Sequence, residues 1–166
     1  MLELAGETAD GVVISAGTAP AFIGWSLQSV RRGEERGRRA ARKAALVVCS
    51  VDADPHRAHE RVRRHLAYIL RGSHHARNLE LAGTRLDRSA LAEAFAQENW
   101  KRVDELTGDD VVMRHCASGT PEQAMTMLQA YGDAGLDEIV VYGMHERQQL
   151  EDLLALMRPQ RASIGR

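Results

Sequence analysis

Ser15-Ala16-Gly17-Thr18 is the segment whose residue types are best suited to holding a ligand. Small residues let a ligand approach the backbone. The helix expected to follow would offer unpaired N–H groups and a positive dipole end to a phosphate. A tight strand-to-helix turn would need the same small residues with no ligand at all. His145 is the second candidate. It follows Gly143-Met144 just after the last predicted strand, where an imidazole could serve as a general acid or touch a phosphate. An exposed loop histidine would look the same in sequence.

Other chemistry-bearing residues read as structural. Asp52 and Asp54 in the run DADP lack the further oxygen ligands and glycine of a calcium loop, and Asp54 before Pro55 reads as a helix cap. Seven histidines raise the question of zinc. His59 and His65 are six residues apart and fall on different sides of a helix. His74 and His75 adjoin in a turn and are expected to point apart, and His115-Cys116 has no partner pair at finger spacing. No metal site is expected. Cys49 and Cys116 read as buried thiols, because two lone cysteines do not make a disulfide framework. The stretch Arg31 to Lys43 holds seven basic and two acidic residues, yet lacks aromatic interleaving and reads as a solvated helix end rather than a nucleic-acid surface. Trp25 and Trp100 sit in apolar helical patterns and are expected in the core or at an interface.

These candidates need elements to position them. Leu2 to Thr8 reads as the end of a helix, and Val12-Val13-Ile14 as a short buried strand. Thr18 is expected to cap the next helix, which carries Pro20 in its first turn and runs to about Arg36, weakened by Gly33 and Gly37. Ala44 to Val51 is a near-continuous apolar strand of the parallel, doubly covered kind. The helix after Asp54-Pro55 carries Ala58, Val62, Leu66 and Leu70 on one side and ends at Gly72. From Ser73 to Val112 there is no strand signal, only two or three short helices with Asp87 and Thr107 or Asp109 as caps; residues 73–117 read as a helical insertion. Thr120-Pro121 then starts a helix through Tyr131, Ile139 to Tyr142 is a strand, and a last helix spans Glu146 to Met157. Residues 158–166 read as a basic tail. Three apolar strands alternating with amphipathic helices imply an α/β fold with a parallel sheet.

Taken in order, MLELAGETADGVVISAG (1–17), VVCSVDADPHRAHERV (47–62) and SGTPEQAMTMLQAYGDAGLDEIVVYG (118–143), with the helical insertion between the last two, resemble the luciferase-like superfamily of flavin- and deazaflavin-dependent oxidoreductases. The resemblance is strongest to the branch that uses the deazaflavin coenzyme F-420, such as the methylenetetrahydromethanopterin reductases. It implies that residues 1–157 form the carboxy-terminal part of a TIM (β/α) barrel. A whole barrel takes about 250 residues, so a partial barrel of about three strands is expected. It also implies hydride transfer to or from a small organic substrate, with coenzyme F-420 as cofactor and FMN-dependent monooxygenation as the alternative. Barrel active sites lie at the carboxyl ends of the strands. Ser15, Gly17 and Thr18 are therefore the expected coenzyme contacts, and Gly143 and His145 the expected pocket rim. The family's coenzyme-phosphate loop and first strands have no counterpart in these passages. The polypeptide is thus expected to be a fragment, inactive alone, that self-associates or joins a complementary half. A non-catalytic assembly domain is the reading from another class.

Composition narrows the partners. Net charge is -1, which gives no electrostatic case for nucleic acid or an anionic membrane surface. No apolar run reaches the roughly 20 residues of a membrane span, and the first ten residues do not resemble a secretory signal, so a cytoplasmic protein is expected.

Overall fold

A computed structural model describes residues 1–15, 17–144 and 146–157. Expectations that fall on His145 and on the tail 158–166 lie outside the described residues.

The chain runs α1 (Leu2–Thr8), β1 (Gly11–Ile14), α2 (Pro20–Gly37), β2 (Arg42–Val51) and α3 (Pro55–Leu70). A 3-10 turn (Ser73–His75) then leads into α4 (Ala76–Leu81), α5 (Arg88–Ala96), α6 (Trp100–Leu106) and α7 (Asp109–His115). The order closes with β3 (Ala117–Gly119), α8 (Pro121–Asp133), β4 (Glu138–Tyr142) and α9 (Arg147–Met157). All strand pairs are parallel. β2 is the axis of the sheet. Its Ala44 and Ala45 pair with Val13 and Ile14 of β1 and also with Glu138 and Ile139 of β4, so β1 and β4 must flank opposite edges. β3 pairs only with Cys49 to Val51, at the carboxyl end of β2.

Alternation along β2 sends successive side chains to opposite faces. On one face Ala45, Val47, Cys49 and Val51 pack with Ile23, Leu27 and Val30 of α2, Leu128 and Tyr131 of α8 and Leu153 of α9. On the other face Val48 packs against Val62, Leu66 and Leu70 of α3 and Val111 and Val112 of α7. That second face is only partly covered. Val13 is 63% exposed and Val140 is 46% exposed, and both strands that carry them have a free outer edge among the described residues. The architecture is an open α/β sheet with helices on its faces.

Local chemistry accounts for the element ends. Asp54 accepts from His56 N, Asp87 from Ala90 N and Asn99 from Arg102 N, each closing a helix start. Thr120 and Gln123 form a reciprocal capping box, with Pro121 in the first turn. Four expectations need correction. Thr18 does not cap α2: Ala19 occupies that position, and the Thr18 hydroxyl instead donates to Ser15 O at 3.0 Å. Gly108 is the N-cap of α7 and offers no side chain, so neither Thr107 nor Asp109 has that role. The sheet has a fourth strand, β3, and the insertion holds four short α-helices. Gly33 and Gly37 do not simply weaken α2. A methyl on Gly33 would sit 1.9 Å from Glu3 O, and one on Gly37 would sit 2.3 Å from Glu7 O, so the bare backbone of α2 is what lets α1 lie against it. Five of the seven basic residues between Arg31 and Lys43 are paired locally: Arg32 and Arg36 with Glu3, Arg36 with Glu7, Arg39 with Asp10, Lys43 with Glu34 and Arg42 with Glu138.

Candidate functional site

Because every strand is parallel, Ser15, Asp52 and Gly143 all emerge at the carboxyl ends of the sheet. Ser15 is exposed and lines a cleft of about 360 Å³ with Tyr68, Ile69, Arg71, Gly72, His74 and His75. Gly143 lines a second cleft of about 210 Å³ with Val48, Arg61, Val62, His65 and Tyr142. Its φ of 94° is a conformation that favours glycine. His65 Nε2 lies 3.2 Å from Tyr142 Oη, and burial raises the pKa of that phenol, which stays protonated. Asp52 holds a salt bridge to Arg61 at 2.7 Å. Its pKa is lowered chiefly by the N–H of Asp54 and further by Arg61.

The loop between Ser15 and Ala19 is held from the helical insertion. Gly17 is buried with φ 71°, and a side chain there would meet Ile69 of α3 at 2.8 Å. Asn78 of α4, fully buried, accepts from Ala19 N at 2.9 Å and donates through Nδ2 to Gly17 O at 2.7 Å. This pairing fixes the orientation of its amide. His115, also fully buried, donates from Nδ1 to the same carbonyl at 3.1 Å. Its Nε2 must then accept the Thr84 hydroxyl at 2.9 Å, which defines one neutral tautomer. Burial pushes His115 down to about 4, and burial pushes His75 beside it to about 4 as well, so both are neutral near pH 7. Tyr131 of α8 adds a bond from its hydroxyl to Thr18 O at 2.6 Å.

Sequence reading singled out Ser15, Gly17 and Thr18 as a group, and the fold gives them different situations. Ser15 faces the cleft. Gly17 and Thr18 are buried, their carbonyls engaged by Asn78, His115 and Tyr131. The N–H of Ala19, just before α2, is taken by Asn78, and Pro20 has none to offer. Asn78, Thr84, His115 and Tyr131 were not foreseen. Their sequence signal is absent, since each bonds to a residue 31 to 113 positions away.

The residues read as structural take these positions. Cys49 and Cys116 are free and buried, with the Cys49 thiol pushed up to about 11 by burial. His74 and His75 do not point apart; their rings lie against each other at a tilt of 45°, with centroids 4.3 Å apart. His59 meets Ser118 Oγ at 3.0 Å. Among the described residues no three His, Cys, Asp or Glu side chains are grouped to hold a metal ion, and no helix is long and apolar enough to cross a membrane. Trp25 and Trp100 are each 40% exposed rather than in the core, with Arg77 over the first ring and Arg64 over the second.

Comparison with known proteins places this geometry. The luciferase-like monooxygenase family matches residues 1–138. The chain is 30% identical over 148 residues to the 5,10-methylenetetrahydromethanopterin reductase of Archaeoglobus fulgidus, covering 84% of this chain and 44% of that one. The structure of the coenzyme F-420-dependent tetrahydromethanopterin reductase from Methanopyrus kandleri superposes with a TM-score of 0.74 at 25% identity, covering 85% of this chain and 41% of that one. The oxygenating constituent of 3,6-diketocamphane monooxygenase from Pseudomonas putida, in complex with FMN, shares the fold with a TM-score of 0.52 at 15% identity, over 84% of this chain and 38% of that one. The chain thus spans less than half the length of the relatives it matches. Both the match over residues 1–138 and the fold it shares with these barrels make it a member of the luciferase-like monooxygenase family of oxidoreductases.

Proposed function

We propose that this chain forms part of the coenzyme-binding face of an oxidoreductase that transfers a hydride between coenzyme F-420 and a small organic substrate. The observation that carries this reading is the likeness to the F-420-dependent reductase at 25% identity and TM-score 0.74, higher on both measures than the likeness to the FMN enzyme. The bound ring would supply the hydride, and the protein's part is binding and orientation. Ser15 contacts the coenzyme at the cleft after β1, while Gly17 and Thr18 shape the loop from beneath. Gly143 forms the rim after β4. The cleft of about 360 Å³ stands at the lower end of the roughly 300–1,000 Å³ range of ligand pockets and the one of about 210 Å³ below it, so each suits a part of the coenzyme or substrate. No described residue is assigned as a catalytic base.

Exposed Val13 and Val140 and the free edges of β1 and β4 favour completion of the sheet by a second copy or a complementary chain, because bare apolar strands associate. The isolated polypeptide would then be inactive, with FMN-dependent monooxygenation as the competing chemistry of the assembled protein. Fluorescence titration of the purified protein with F-420 and with FMN tests the coenzyme. Weak, saturable binding of F-420 ahead of FMN is expected; preference for FMN, or no response to either, overturns the assignment. Sedimentation at several concentrations should show association, and an ideal monomer throughout would refute the open-sheet reading.

A further inference from the structure

Three half-buried arginines lie among the described residues. Arg63 donates to Thr107 O and Asp109, and Arg88 donates to Gly72 O. Arg71 has neither a hydrogen-bond acceptor nor a carboxylate partner among the described residues, although its guanidinium carries five N–H donors. It is nevertheless held in place. The guanidinium lies 4.3 Å from the centroid of the Tyr68 ring and 5.0 Å from that of Phe95, an arrangement that fixes a planar cation while leaving its N–H edge open. That arginine borders the same cleft as the exposed Ser15 and His74, which add a hydroxyl and, in any tautomer, a ring N–H. Donors from β1's loop, the end of α3 and the 3-10 turn thus surround one cleft with no acidic side chain in its lining.

We infer that the cleft lined by Ser15, Arg71 and His74 is an oxyanion subsite that takes a carboxylate or phosphate group. A planar, fork-shaped donor preset on two rings suits either oxyanion through paired N–H bonds. Assigning the bound anion to a coenzyme or substrate rests on the function proposed above; the subsite's affinity for a free oxyanion does not. The helical insertion would then have two roles at this face: Asn78 and His115 set the loop's backbone, and His74 joins Arg71, at the end of α3, in supplying donors beside it.

The test is a titration of the full chain, isotopically labelled, with inorganic phosphate and separately with glutarate, followed by NMR at constant ionic strength. Saturable shifts are expected at the Arg71 Nε–H and the Ser15 amide. Arg71→Gln should raise the Kd at least tenfold, and Arg71→Lys should fall between, because it keeps charge but loses the fork. Unchanged amide dispersion away from the cleft checks that the variants fold. The stronger of the two probes identifies the source, phosphate or carboxylate. Linear, non-saturating shifts, or equal affinity in Arg71→Gln, would overturn the subsite. Oxyanion binding without any response to F-420 or FMN would remove the coenzyme reading and leave the subsite. Coenzyme binding undiminished in Arg71→Gln would overturn the assignment of the subsite to the coenzyme and leave the coenzyme reading.

Discussion

Asn78→Ala offers the sharpest test of how the loop after β1 is held. The truncation removes the acceptor for Ala19 N, which is 3% exposed and has no route to water in the folded state. A buried donor left unpaired costs about 1–3 kcal/mol. The Gly17 carbonyl loses its 2.7 Å donor but keeps His115 at 3.1 Å, so that side of the change is milder. Loss of packing around a fully buried side chain adds about 1 kcal/mol more. A total of about 2–4 kcal/mol is a large share of the roughly 5–15 kcal/mol that holds a typical domain together. Urea unfolding followed by circular dichroism would read the midpoint, and hydrogen exchange of a peptide covering residues 15–27 would read the loop. Faster exchange at Ala19 is expected even under conditions where the variant is fully folded. A loss under about 0.5 kcal/mol with unchanged exchange would refute the clamp.

Other perturbations separate the remaining claims. His75 and His115 are both pushed from 6.5 down to about 4, so the folded protein resists their protonation while the unfolded chain does not. Their contribution is present in full above about pH 6.5 and is lost as pH falls toward 4, on the order of 1–3 kcal/mol for each group; unfolding midpoints at pH 7.5, 6 and 5 should decline, and a flat profile would contradict it. Gly33→Ala brings a methyl within 1.9 Å of Glu3 O, a backbone atom that cannot swing aside. It should cost about 1–3 kcal/mol or detach α1, seen as faster proteolysis within residues 1–10; native stability would disprove the contact. Cys49 and Cys116 are both buried, with Cys49 pushed up to about 11 and Cys116 higher still, so neither should react with iodoacetamide at pH 8 unless denaturant is added. Rapid native labelling of either thiol would sink that view.

Much of the scaffold was legible because its signals are local. The run AALVVCSV announces a doubly covered strand, and Asp54-Pro55 and Thr120-Pro121 mark helix starts that need only their own neighbours. β3 escaped because Ala117-Ser118-Gly119 has no β-branched or aromatic residue; pairing with Cys49 to Val51 makes it a strand, not propensity. The Thr18 cap failed for a related reason. Asn78, 59 residues away, reaches the helix start first, and the threonine turns back to Ser15. Ser15 could be placed at the mouth of a strand from sequence. That Gly17 and Thr18 would face inward depended on the insertion, whose path no local pattern reveals. Arg71 was passed over because one arginine among many has no distinctive spacing; its two aromatic neighbours, one of them 24 residues away, exist only in the fold.

The position of β2 between its neighbours has a consequence for how the chain reaches this shape. Its pairing with β1 joins residues such as Gly11 and Arg42, 31 positions apart, while its pairing with β4 joins Ala44 to Glu138, 94 positions apart. Closing short loops precedes closing long ones, so the amino-terminal α/β unit should assemble early and wait for β4. During that interval the edge of Leu46 and Val48 stands bare, and refolding yield should fall steeply as protein concentration rises. A yield independent of concentration would mean that β4 docks before the early intermediate can meet another molecule.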